Sequence, residues 1–103
     1  MPQAPLIYYA VTREHTEGWD DSLPLRQQKL WTEHAAFMDG LEAEGFVILG
    51  GPLGDGKKVL LIFAATSEQE IAARLADDPW TPLDMLRTTS VERWEILLNA
   101  RRS

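Results

Sequence analysis

The feature that most constrains the fold is a pair of apolar segments, residues 46–49 (FVIL) and 59–63 (VLLIF), separated by the turn-forming stretch 50–56 (GGPLGDG). The glycines, proline and aspartate of this stretch predict a β-hairpin, because these residue types adopt the backbone angles that tight turns require. Two strands that are apolar at every position need cover on both faces of their sheet. Helices of the same chain can cover one face. We expect a second subunit to cover the other face, most simply in a symmetric homodimer.

The segments before the hairpin predict a strand and a long helix. Residues 6–11 (LIYYAV) are typical of a strand buried on both faces. Residues 22–44 predict a helix that Asp21 or Ser22 caps and Gly45 ends. An apolar stripe runs along this helix at steps of one, three or four residues, and Gly40 inside it suggests close packing on the sheet. The stripe and its one polar member are Leu30, Trp31, His34, Phe37, Met38 and Leu41.

The segments after the hairpin predict a second helix and a last strand. Ser67 and Glu70 form a capping box at the start of a helix over residues 68–76, and apolar side chains alternate from Thr88 to Leu98. The resulting order β-α-β-β-α-β predicts an α+β fold of the ferredoxin-like type, with two helices on one face of a four-stranded antiparallel sheet.

The composition excludes several classes of function. A net charge of −6 disfavours binding to nucleic acid or to anionic membranes, and the lack of cysteine removes thiol catalysis and disulfides. The two histidines are not spaced as metal ligands, and no glycine-rich motif precedes a helix, so we expect neither a metal nor a cofactor. A length of 103 residues predicts one domain over residues 1–103. The lack of cysteine makes a cytoplasmic location the default expectation, and no apolar segment is long enough to span a bilayer.

His34 is the leading candidate for a functional residue because it interrupts the apolar stripe. A histidine there should point toward the sheet, and desolvation favours its neutral form, which can accept a proton. The alternative is a core histidine that is hydrogen-bonded to a backbone carbonyl. Asp78 is the second candidate, since it lies where the second helix ends and the chain turns back. Its alternative is a turn carboxylate bonded to its own backbone.

The remaining candidates line the predicted cleft rather than carry the chemistry. Trp19, in a polar loop, either packs on the core or lines that cleft. The possible cleft-lining residues are Trp31, Trp80, Trp19, Gly51 and Pro52.

Several short motifs in this order resemble the YCII-related domain of the dimeric α+β barrel superfamily. They are residues 31–38 (WTEHAAFM), Leu41, Gly45, residues 50–53 (GGPL) and residues 78–80 (DPW). The resemblance extends over a core of about residues 6–98. It implies a ferredoxin-like protomer that dimerises through its sheets, and a cleft in which a histidine and an aspartate form an active-site pair. The matching positions are His34 and Asp78, whereas the loop around Trp19 lies outside the family's shared core.

Two functions fit these features. The first is a small enzyme, without a cofactor, that uses His34 and Asp78 for general acid–base chemistry of an isomerase or lyase type on a small apolar or aromatic molecule. The second is a non-catalytic dimeric module that binds a small ligand or serves a structural role. A solvent-connected cavity at the imidazole, with Asp78 within about 3 Å, favours the enzyme.

Overall fold

The computed structural model describes residues 7–100, which form four strands and two helices. In chain order these are β1 (Ile7–His15), α1 (Trp31–Ala43), β2 (Val47–Leu53), β3 (Lys58–Ala65), α2 (Glu68–Leu75) and β4 (Leu86–Arg93). The strands pair antiparallel in the order β2-β3-β1-β4, which is the ferredoxin-like arrangement. The predicted fold class is confirmed.

The hydrophobic core lies between the two helices and one face of the sheet. Leu41 of α1 and Ile71 and Leu75 of α2 pack on the inward side chains of the central strands. Val11 and Phe63, on the two central strands, are completely buried. Side chains alternate across a strand, so this single face accounts for the burial of every second residue of β1. The prediction that β1 is buried on both faces is wrong for the protomer.

The first long helix begins nine residues later than predicted. Residues 22–30 contain only a 3₁₀ turn at Leu25–Gln27, and α1 starts at Trp31. Leu30 has a left-handed backbone with φ 57°, which a continuous α-helix cannot contain. The neighbouring carbonyl of Lys29 accepts a hydrogen bond from Trp80 Nε1 at 2.6 Å. A tertiary contact therefore accompanies the break, and neither Asp21 nor Ser22 caps this helix.

The end of α1 agrees with the prediction, but the role of Gly40 does not. Gly45 has φ +79°, a conformation that glycine adopts without strain, and it follows the last turn. A Cβ at Gly40 would meet nothing within 4 Å, so this glycine does not allow close packing on the sheet. In α2, Ser67 Oγ accepts from the Glu70 N–H at 3.1 Å as predicted, while Glu70 Oε1 accepts from the Thr66 N–H at 2.8 Å.

All four strands differ in length from the predictions, and β3 is longer by one residue at its start and two at its end. β1 continues through His15, and β2 continues through Gly50, Gly51 and Pro52 to Leu53. Proline is tolerated there because β2 is an edge strand, where one row of N–H groups needs no partner. β4 ends at Arg93, so the alternation over residues 94–98 does not form a strand. Leu6, the first residue of the predicted β1, lies outside the described residues.

The face of the sheet opposite the helices carries apolar side chains. Ile62 faces this side with its cross-strand neighbours Ala10 and Leu49, and Ala64 does so with Tyr8. Leu49 is 58% exposed and Tyr8 is 41% exposed. Within residues 7–100, no helix has the length and apolar character that crossing a membrane requires.

Candidate active site

A buried histidine–aspartate pair lies where the first turn of α1 meets the segment after α2. His34 Nδ1 is 2.9 Å from Asp78 Oδ1 and 2.8 Å from Oδ2. Asp78 is 1% exposed and His34 is 8% exposed. Because a carboxylate only accepts hydrogen bonds, Nδ1 is the protonated ring nitrogen in this contact. Nε2 then carries the lone pair, and it has no hydrogen-bond partner among residues 7–100.

Trp80 contacts both members of the pair. Its ring is stacked on the His34 imidazole, with centroids 3.7 Å apart and planes 5° from parallel. Its backbone N–H donates to Asp78 Oδ1 at 2.9 Å, and its indole N–H is bonded to the Lys29 carbonyl before α1. Trp80 is 2% exposed. One buried residue thus orients the imidazole, the carboxylate and the start of the helix.

The loop after β1 brings a second aromatic ring against Trp80. Trp19 meets Trp80 edge to face, with centroids 5.5 Å apart, and its own face is stacked on His15 at 3.7 Å. Both predicted roles of Trp19 are therefore combined, since it packs on a buried ring and lines a cavity. Sequence reasoning did not assign a role to His15 beyond rejecting it as a metal ligand.

Close contacts hold this loop in place. Gly18 lies so near the segment before β4 that a Cβ there would be 1.8 Å from the Leu83 carbonyl oxygen, so only glycine fits. Gln28 is 3% exposed, and its amide bonds both backbone groups of Asp20 and the carbonyl of Leu23, at 2.7–3.0 Å. Because a buried amide with three hydrogen bonds leaves the loop little freedom, the Trp19 wall is preformed.

Arg13 brings a buried positive charge to the same region. It is 7% exposed, and Nη2 donates to the Leu86 carbonyl at 3.3 Å, while Nε is buried without a hydrogen-bond partner among residues 7–100. Burial lowers the pKa of the guanidinium below its ordinary value, and the negative charge of Asp78 partly offsets this effect. The Asp78 oxygens are bonded to His34 and Trp80 instead. An unsatisfied donor on a buried cation is costly.

A cavity of about 840 Å³ opens beside these groups. Its size is within the usual range for sites that bind small molecules. His34, Arg13 and His15 line it, together with all five residues predicted for the cleft: Trp19, Trp31, Gly51, Pro52 and Trp80. Asp21, Asp39, Glu42, Asp55 and Lys57 also contribute to its walls. Within the described part of the chain, no group of three or more histidine, aspartate or glutamate side chains could hold a metal ion.

A solved structure of an enzyme is similar to this protein. No protein-family model and no curated protein matches the chain. The similar structure is one of several that match, and its protein is 5-chloro-2-hydroxyhydroquinone dehydrochlorinase (TftG) from Burkholderia phenoliruptrix AC1100, in complex with 2,5-dihydroxybenzoquinone. The two chains are 28% identical with a TM-score of 0.66, and the match covers 86% of this chain and 94% of the dehydrochlorinase.

The topology and this similarity define a ferredoxin-like α+β protein that is related in structure to a small enzyme. This similarity supports the resemblance to the YCII-related domain that the sequence motifs indicate.

Proposed function

We propose that this protein is a small enzyme that transfers a proton on a small aromatic or apolar substrate, with His34 as the base and Asp78 as its orienting partner. The observation that carries the proposal is the buried contact of 2.8 Å between His34 Nδ1 and Asp78, beside a cavity that the imidazole also lines. The carboxylate keeps the proton on Nδ1, so Nε2 is the nitrogen free to accept one from a substrate.

Arg13 supplies the second element of the proposed chemistry. When a proton leaves a hydroxyl or a carbon next to a carbonyl, negative charge develops on the substrate oxygen. The positive charge of the Arg13 guanidinium, which is 7% exposed and lines the cavity, stabilises that oxygen, and the burial of this charge strengthens the interaction.

The reaction class that fits these groups is elimination or isomerisation. In an elimination, His34 Nε2 takes the proton, the released electron pair moves into the substrate, and the leaving group departs with its bonding pair, for a net loss of HX. The dehydrochlorinase named above suggests a halogenated, hydroxylated aromatic ring as the first substrate to test. Three tryptophans in the cavity wall suit a planar ring.

The test is chloride release from 5-chloro-2-hydroxyhydroquinone by the wild type, by His34→Gln and by the control Glu33→Gln, which changes an exposed neighbour on the same helix. Release by the wild type and by Glu33→Gln, but not by His34→Gln, is expected. Equal rates for the wild type and His34→Gln would exclude His34 as the base. Tight binding of such rings without turnover would favour a ligand-binding module.

We also propose that two copies of this chain form a homodimer through the faces of their sheets. The support is the row of apolar side chains on the face opposite the helices, where Leu49 is 58% exposed and Tyr8 41% exposed in the protomer. Burying such side chains is worth roughly 25 cal/mol per Å². A symmetric pair buries the same row twice.

Light scattering after gel filtration tests the dimer. The wild type should have twice the mass of one chain, and Leu49→Lys should have the mass of a monomer, because each interface would then bury two unpaired ammonium groups. Leu23→Lys is the matched control, since Leu23 is 36% exposed but lies in the loop after β1. A monomeric wild type, or a Leu49→Lys protein that stays dimeric, would contradict this interface.

A further inference from the structure

His15 is the second imidazole of the cavity, and the strand register places it there. It is the last residue of β1, and it lies two residues after Arg13, which lies two residues after the buried Val11. Because side chains alternate along a strand, these residues share the face that the helices and the cavity occupy. His15 and His34 thus line the same cavity from a strand and from a helix.

The two imidazoles are held in the same way. Each is stacked nearly parallel on a tryptophan at 3.7 Å, His15 on Trp19 and His34 on Trp80, and the two tryptophans meet edge to face. The four rings contact one another in a row, with a histidine at each end. A substrate that contacts His34 at one end of this row of rings therefore has a second, oriented imidazole available at the other end.

His15 differs from His34 because no carboxylate of the described residues is hydrogen-bonded to it. Its ring nitrogens make no hydrogen bond with any residue of the described range 7–100. The charged groups that act on its pKa are Asp21 in the loop and Asp55 and Lys57 in the hairpin turn. Partial burial lowers the pKa of His15 below its ordinary value, although the two aspartates partly offset this effect. The neutral ring offers one donor and one acceptor to a ligand.

We infer that His15 is a second substrate-binding residue, which hydrogen-bonds a polar group at the end of the substrate remote from His34. This inference rests on the proposed function and makes its substrate class more specific. The ligand is a small ring with oxygen substituents at opposite ends. One oxygen lies near His34 and Arg13, and the other is bonded by His15. The Trp19 stack fixes the plane of the imidazole, which reduces the entropy lost on binding.

The experiment compares two ring compounds that differ in one hydroxyl. Hydroquinone has oxygens at opposite ends of the ring, and phenol has one. Dissociation constants are measured by NMR titration of the tryptophan indole N–H signals. The wild type should bind hydroquinone about fivefold more tightly than phenol, the usual effect of one added hydrogen bond. In His15→Phe, which keeps an aromatic ring against Trp19, this ratio should fall to about one through the loss of hydroquinone affinity alone.

Two further variants make the result specific. His15→Gln keeps a donor and an acceptor and should recover part of the ratio. Glu17→Gln, an exposed position in the loop that follows β1, should leave it unchanged. A ratio that is the same in the wild type and His15→Phe, or a wild type that binds neither compound, would overturn the role of His15. The readout is binding, so that outcome is distinct from failure of the proton-transfer proposal, which the His34→Gln rates decide.

Discussion

Turnover by Asp78→Asn is expected to fall by roughly 10²–10⁴-fold, as when the orienting carboxylate of a histidine base becomes an amide. Both Asp78 oxygens lie within 2.9 Å of His34 Nδ1, so the carboxylate selects the tautomer with its proton on that nitrogen. Asparagine can instead present its NH₂ group to Nδ1. The ring proton then moves to Nε2, and the base loses the lone pair that the reaction needs.

The neighbouring Asp77 provides the control for this variant. It carries the same side chain one residue earlier, but it is exposed and is far more accessible to solvent than Asp78. Asp77→Asn should therefore turn over at close to the wild-type rate. Steady-state rates across pH 5–9 check both variants. If Asp78→Asn kept the wild-type rate while Asp77→Asn did not, the buried pair would have no part in the chemistry.

Local sequence patterns were sufficient to predict the order and type of every helix and strand. The apolar runs of β2 and β3, the helical spacing around His34 and the capping box at Ser67 each depend on neighbouring residues alone. The start of α1 was predicted wrongly because its cause is not local. Leu30 adopts a left-handed backbone next to a carbonyl that is bonded by Trp80, a residue 50 positions away in the chain.

The site was predictable to a different degree for each residue. The burial of His34 follows from its place in an apolar stripe, whereas its contact with Asp78 bridges 44 residues and only the family resemblance suggested it. Arg13 and His15 were missed as site residues because polar side chains end the apolar run that marks β1. The period-two spacing of Tyr9, Val11, Arg13 and His15 was the available signal. The single domain over residues 1–103 stays a prediction.

Trp80→Ala is expected to lower the free energy of unfolding by about 3–5 kcal/mol, the usual cost of removing a large buried aromatic side chain. Trp80 is 2% exposed, and the change would remove its stack on His34, its edge contact with Trp19 and the hydrogen bond to Lys29. Trp80→Phe keeps a ring on His34 but not the indole N–H, so it should cost about 1–2 kcal/mol and still fold.

Trp94→Ala is the control, because Trp94 is 43% exposed, and its cost should stay within about 1 kcal/mol. Urea unfolding followed by circular dichroism measures all three without depending on tryptophan emission. If Trp80→Ala lowered the free energy of unfolding no more than Trp94→Ala does, the ring contacts of Trp80 would not be what holds the histidine–aspartate pair in place.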